Sequence, residues 1–154
     1  MNPLAIAATA AQMDGLPFLR AMAAGEITPA PIATLLDFAD IPELEEGRIV
    51  FRGTPKEEHY NPIGVVHGGW AMTLLDSAMG SAVHTTLPAG TGYTSLEVKT
   101  NFTRPITLDT GPVLASGMVV HRGSRVATAE GRIVAEATGK LLAHATTTIL
   151  ITPR

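Results

Sequence analysis

Two hydrophobic rhythms run along this chain, and the switch between them divides it. From Val66 to Leu87 the sequence V-H-G-G-W-A-M-T-L-L-D-S-A-M-G-S-A-V-H-T-T-L reads as a helix. Ala71, Leu74, Leu75, Ala78, Met79, Ala82 and Val83 spread around its circumference instead of forming one stripe. A helix apolar all round is expected to be buried. At roughly 20 interrupted residues it is too short for a membrane span. After Gly92 the period becomes 2: Leu96, Val98, Thr100 and Phe102 share one face, and Ser95, Glu97, Lys99 and Asn101 the other.

Three more strands follow, over Val113 to Val120, Val126 to Ala137 and Leu141 to Ile151, joined by the turns H-R-G-S-R and T-G-K. Long consecutive strands with short connections predict an antiparallel four-strand meander. Ala127, Ala129, Gly131, Ile133, Ala135 and Ala137 line one face, and small residues there let another layer approach closely. The expected architecture is α+β, with a curved antiparallel sheet curled around one long central helix. Upstream, Arg48 to Arg52 reads as a strand, and T-P-K-E-E-H-Y-N-P-I-G as an irregular, solvated loop carrying His59.

Residues 1–45 differ in texture, being rich in Ala and Pro. L-P-F-L-R-A-M-A-A-G-E-I predicts a short helix closed by Gly25 and Pro29, and Ile32 to Phe38 a second. This N-terminal arm is set apart from a domain over 46–154. Packing or an oligomer contact is its expected role, with a lid over a pocket as the other reading.

Composition narrows the classes. At 154 residues one domain is expected. Hydrophobic content of 45% against 16% charged residues favours an oligomer that covers apolar surface. With no cysteine there is no disulfide framework or thiolate metal site. The start M-N-P-L-A-I-A-A-T-A-A lacks the basic opening of a signal peptide, so the cytoplasm is the default. Net charge is −3: residues 1–60 hold nine acids and four bases (−5), residues 61–154 five acids and seven bases (+2). A mildly basic main domain suits an anionic small ligand better than nucleic acid.

One acid, Asp76, interrupts the helix. Met72, Thr73, Met79 and Gly80 occupy the places a turn away, so no local cation pairs with it. A buried carboxylate without a partner is costly. It is either a structural tie to hydroxyls or backbone, or a reacting group.

The run H-Y-N-P-I-G-V-V-H-G-G-W-A-M-T-L-L-D (59–76), with Y-T-S-L-E-V-K-T-N-F-T-R-P-I (93–106), resembles the hotdog-fold acyl-CoA thioesterases, in the phenylacetate-degradation and 4-hydroxybenzoyl-CoA thioesterase branch. The resemblance spans roughly residues 45–152. It implies a hotdog fold, a homodimer with a continuous sheet, often a homotetramer, and hydrolysis of an acyl-CoA. CoA is then part of the substrate, and no further cofactor, nucleic acid or membrane is called for.

Thioester hydrolysis needs an attacking carboxylate or activated water, donors for the oxyanion, and a hold on CoA. The resemblance implies Asp76 as the carboxylate, acting directly or through water, and Gly68 as the oxyanion donor. Helix-start N–H groups lack intrahelical partners, and Gly68 and Gly69 let a carbonyl approach them. By the same resemblance His67 and Asn61 position the thioester and assist the leaving thiolate; their plainer readings are a cap and a turn former. A hydroxyl helper is Ser95 by family pattern but Thr94 by strict alternation, and a bulge would reconcile the two. Some relatives carry Thr one turn after the carboxylate; Gly80 stands here and leaves room for an acyl group. Arg122, Gly123, Ser124 and Arg125 are candidates for the CoA phosphates, or simply a charged hairpin turn. Trp70 and Phe102 belong to the core or the acyl pocket.

Gly68 and Asp76 lie eight residues apart, roughly 12 Å along one helix. Both cannot touch one carbonyl, so a site using both draws them from two subunits.

Other chemistries fit less well. No H-E-x-x-H and no G-x-S-x-G occur, which argues against a metalloenzyme and a serine hydrolase. An enoyl-CoA hydratase would want an Asp–His dyad, yet Asp76 and His84 are again roughly 12 Å apart. A non-catalytic acyl-CoA-binding protein is the other alternative. The acyl group, and CoA against a carrier protein, are open at this level.

Overall fold

A computed structural model describes residues 2–153; Met1 and Arg154, the outer ends of the two expected segments, lie outside the described residues. The central element is α4 (Gly68–His84). Around it curves one antiparallel sheet of β1 (Asp40–Glu45), β2 (Arg48–Gly53), β3 (Thr91–Phe102), β4 (Val113–Arg122), β5 (Val126–Ala135) and β6 (Leu141–Pro153). This is the hotdog arrangement expected from the sequence.

Helix and sheet meet closely because the sheet carries glycine where the helix crosses. A Cβ on Gly117 would lie 2.2 Å from the Ala78 carbonyl oxygen. One on Gly131 would lie 3.0 Å from Leu75 and Met79 side-chain carbons. Leu74, Leu75, Ala78, Met79, Ala82 and Val83 are all fully buried against this surface, with Ile49, Val113, Ala115, Ala127 and Ile133 opposite. Ala127, Ala129, Gly131, Ile133 and Ala135 face inward as expected, but β5 stops at Ala135 and Ala137 is exposed in the following turn.

Strand order corrects the expected meander. It is β1-β2-β4-β5-β6-β3, so only β4, β5 and β6 follow one another. β3 pairs with β6 at one edge, and the chain then returns to place β4 beside β2. The return segment is pinned across the start of α4. Leu142 O accepts from Thr103 N and Arg104 N, Ile106 O accepts from Val66 N, and Tyr60 Oη accepts from Leu108 N. Short-range pattern carries no information about such tertiary bonds.

The first 45 residues hold α1 (Pro3–Gln12), α2 (Gly15–Ala23), α3 (Pro31–Leu35) and β1. The two expected helices correspond to α2 and α3. The sequence reading missed α1, and it missed β1 because D-I-P-E-L-E carries a proline and three acids. Those residues suit an edge strand, which is where β1 lies. Ile6, Phe18, Leu19, Ala33 and Phe38 are buried, so the arm packs onto the domain.

The expected loop position of His59 is also corrected. The ring is buried, stacks on Trp70 with centroids 5.4 Å apart, and accepts from Lys56 N at Nδ1. Trp70 itself belongs to the core and donates from Nε1 to Leu36 O at 2.9 Å.

Candidate active site

Asp76 is not sealed inside the helix layer: it is exposed, with Met72 one turn before it. Thr73 and Ser77 beside them are half-buried. The sheet covers most of α4 but leaves this stripe open. Met72 had disguised the stripe as apolar, although Thr73, Asp76 and Ser77 follow helical spacing. In the single chain Asp76 makes no ion pair among the described residues. Its partner is a hydroxyl: Ser95 Oγ donates to Asp76 Oδ1 at 2.6 Å.

A β-bulge brings Ser95 there. Ser95 pairs with Ile149 and Glu97 with Thr148, so Leu96 has no partner of its own in the ladder. The extra residue moves the face assignment by one position. Leu96 points outward at 58% exposure instead of meeting the helix. Glu97 repairs the ladder, its Oε1 accepting from Thr148 N at 2.7 Å. Strict alternation favours Thr94, which is exposed and does not line the cavity that Asp76 and Ser95 share. Gly80 also opens onto a cavity. A Cβ there would lie 3.1 Å from the Tyr93 ring, so glycine admits an aromatic neighbour, and Gly80 and Tyr93 together line the cavity that Asp76 joins.

At the start of α4, His67 is the N-cap, and its Nδ1 accepts from Gly69 N at 2.8 Å. In the neutral ring an accepting Nδ1 leaves the proton on Nε2, which becomes the available donor. The Gly69 N–H is thereby spent within the chain. The Gly68 N–H finds no acceptor among the described residues and remains the orphan donor of the helix start. A Cβ on Gly68 would lie 2.9 Å from the Phe102 ring, so glycine also permits that ring to cover the helix start. Asn61 Oδ1 accepts from Ile63 N and Val65 N, shaping the loop that leads into the helix.

These residues fall into separate cavities. Asp76 and Ser95 line one of about 500 Å³. Asn61, His67, Gly68 and Phe102 line another of about 420 Å³, with Arg104 on its wall. Arg104 was not singled out from sequence beyond its place before Pro105; it also donates to Leu141 O at 2.7 Å. Arg122, Ser124 and Arg125 line a third, of about 470 Å³, beside Gly90 and Thr91 at the start of β3. Gly123 does not line it; its N–H donates to Val126 O and closes the turn. His84 lines the same cavity as Asp76 but is buried at the far end of α4, against Phe18 and Tyr93. Among the described residues no group of three His, Asp or Glu side chains is placed to hold a metal. No described helix is long and apolar enough to cross a membrane.

The sequence profile of the thioesterase superfamily matches residues 63–142, just over half of the chain. The chain belongs to the thioesterase superfamily. This thioesterase-superfamily chain is 38% identical over 87 residues to "Putative esterase SSO2140" of Saccharolobus solfataricus, a match over 56% of the chain and 60% of that relative. The chain thus spans less than two thirds of the curated relative it matches. A mutant of the phenylacetic acid degradation protein PaaI from Thermus thermophilus superposes with a TM-score of 0.69 at 30% identity, over 78% of this chain and 97% of that one. A phenylacetic acid degradation-related protein of Ralstonia eutropha superposes with a TM-score of 0.75 at 28% identity, over 85% and 97%. The superfamily match begins at residue 63, so α1 to α3 lie outside it.

Proposed function

We propose that this protein hydrolyses acyl-CoA thioesters in a site completed by a second copy of the chain. The observation that carries the reading is the separation of two half-sites. Asp76 with Ser95 lies in one cavity, and Gly68 with His67 and Asn61 in another. They are roughly 12 Å apart along the same helix. A two-fold axis that sets two α4 helices side by side and antiparallel unites the halves twice per dimer. The open stripe of Met72 and Asp76 suits such a neighbour, and so does the outer edge of β3, twelve residues long and unpaired among the described residues. Sheet edges of that length are normally covered, and a second β3 would cover this one.

In this reading Asp76 supplies the attacking oxygen, either its own or that of a water it deprotonates. Ser95 holds Oδ1 and leaves Oδ2 to act. The partner's Gly68 N–H receives the developing oxyanion, where a fixed donor in a water-poor site is worth most. His67 offers its Nε2 proton to the departing thiolate, and Asn61 orients the thioester. Arg122, Ser124 and Arg125 meet the CoA phosphates. Two structural relatives are named for phenylacetic acid degradation, so aryl acyl-CoA is worth trying alongside short and medium acyl chains.

The test is thiol release from an acyl-CoA panel, with Asp76→Ala as control and carrier-protein thioesters in parallel. Asp76→Ala and Gly68→Val chains are then mixed, unfolded and refolded together. Random pairing leaves one intact site in half of the two-site dimers, about a quarter of wild-type activity. Mixtures no more active than their parents would exclude a shared site. Acyl-CoA binding with no thiol release from any substrate would exclude hydrolysis.

A further inference from the structure

The cavity that Asp76 joins has two walls of different origin. One is the superfamily domain: Asp76, Ser77, Gly80, Ser81 and His84 from α4, with Tyr93 and Ser95 from β3. The other is built by the arm, with Ile6 and Ala10 from α1, Phe18 and Met22 from α2, and Ala33 from α3. Every arm residue precedes the superfamily match. Along the α4 wall Asp76 is exposed, Ser77 and Ser81 are half-buried, and Gly80 and His84 are buried, so the cavity runs inward from the carboxylate. Its volume of about 500 Å³ is that of a small-molecule pocket and far exceeds what an acetyl group fills.

Resting on the thioesterase reading above, we propose that α1–α3 form the acyl chamber and select a bulky apolar acyl group over acetyl. Continuity decides the occupant. A thioester carbonyl held at Asp76 has its CoA side toward solvent and its acyl side toward the arm. The arm presents aliphatic and aromatic carbon there, so burying the acyl chain is favourable and each methylene adds to the selectivity. An arm serving only to pack would have no reason to leave a cavity at the reacting carboxylate, since interiors otherwise fill to crystal-like density.

The experiment narrows the chamber from the arm side with Ala33→Phe and, at a half-buried position that folds more readily, Met22→Trp. Two readouts are taken. One is the ratio of kcat/KM for octanoyl-CoA to that for acetyl-CoA. The other is the ratio of Kd for the unreactive thioethers S-ethyl-CoA and S-octyl-CoA, by calorimetry. Both ratios are expected to favour octyl in the wild type and to fall about tenfold in either variant. Folded variants whose two ratios equal the wild type's would overturn the chamber and leave hydrolysis standing. A wild type that releases no thiol but whose preference for S-octyl-CoA collapses in the variants would do the reverse. If Ala33→Phe does not fold, Met22→Trp decides.

Discussion

Ser95 Oγ sits 2.6 Å from Asp76 Oδ1, donating across from an edge strand to the exposed stripe of the central helix. The contact exists because Leu96 is bulged out of β3. If Asp76 is the attacking group, Asp76→Asn lowers kcat by about 10²- to 10⁴-fold, the range of a lost general base. Ser95→Ala, which leaves the carboxylate but frees its rotamer, lowers kcat by about tenfold. Both variants keep a melting temperature near wild type, since the carboxylate is not buried. Full thiol release by Asp76→Asn would remove Asp76 from the mechanism.

His67 can be separated into a cap and a donor. Its Nδ1 bond to Gly69 N is a helix N-cap, and losing such a cap costs about 1 kcal/mol. His67→Ala is expected to lose both that stability and activity. Asn is a good N-cap but carries no imidazole donor, so His67→Asn should regain the stability and not the turnover. Recovery of turnover with Asn would reduce His67 to a cap. Denaturant titration and steady-state kinetics on the same two preparations give the answer.

Gly117 and Gly131 offer a graded test of helix–sheet packing. A methyl at Gly117 meets helix backbone, with the Ala78 oxygen at 2.2 Å and Met79 N at 2.6 Å, and backbone cannot turn aside. At Gly131 the nearest atoms are side-chain carbons of Leu75 and Met79 at 3.0 Å and the Ser116 carbonyl oxygen at 3.1 Å, all far less crowded than the 2.2 Å approach at Gly117. Overpacking typically costs about 1–3 kcal/mol, occasionally more. Gly117→Ala is expected at or above the top of that range and Gly131→Ala within it. At about 2–4 °C per kcal/mol for a chain of this size, calorimetric melting temperatures should separate them clearly. Equal melting temperatures would contradict the close crossing.

Acid should weaken the fold through two groups of opposite type. Burial holds the His59 imidazole below its ordinary 6.5, so the unfolded chain binds the proton more readily. Its contribution is complete above 6.5 and is lost as pH falls from there toward the folded value. The hydrogen-bonded Arg52 guanidinium holds the Glu136 carboxyl below its ordinary 4.5. That contribution is complete above 4.5 and fades as pH drops through the lower folded value. His59→Gln should flatten the stability profile just below 6.5, and Glu136→Gln only the more acidic part. Both surfaces of the Arg52–Glu136 pair are open to solvent, so its effect is the smaller one. Chemical denaturation across the acid range reads both.

From residues alone came the elements whose cause is local. The long helix, Gly68–His84, follows from apolar residues at helical spacing after the Gly-Gly pair. The antiparallel strands follow from alternation and short turns, and the small inner face of β5 follows from its Ala and Gly positions. The motif from His59 to Asp76 also led to the superfamily and to the start and the middle of the helix as the candidate half-sites. What tertiary structure decided depends on contacts between residues far apart in the chain. The edge position of β3 rests on the bonds that pin the return segment at Leu142 and Tyr60. The bulge at Leu96 is what chose Ser95 over Thr94. The exposure of Asp76 follows from where the sheet stops wrapping, which the helical spacing of Thr73, Asp76 and Ser77 only hints at beside the apolar Met72. The arm reads as plain packing until α1 to α3 are seen to enclose a cavity against Asp76. A single chain's pattern encodes which faces are apolar, but only the folded chain determines which of those faces meet, and at what residue.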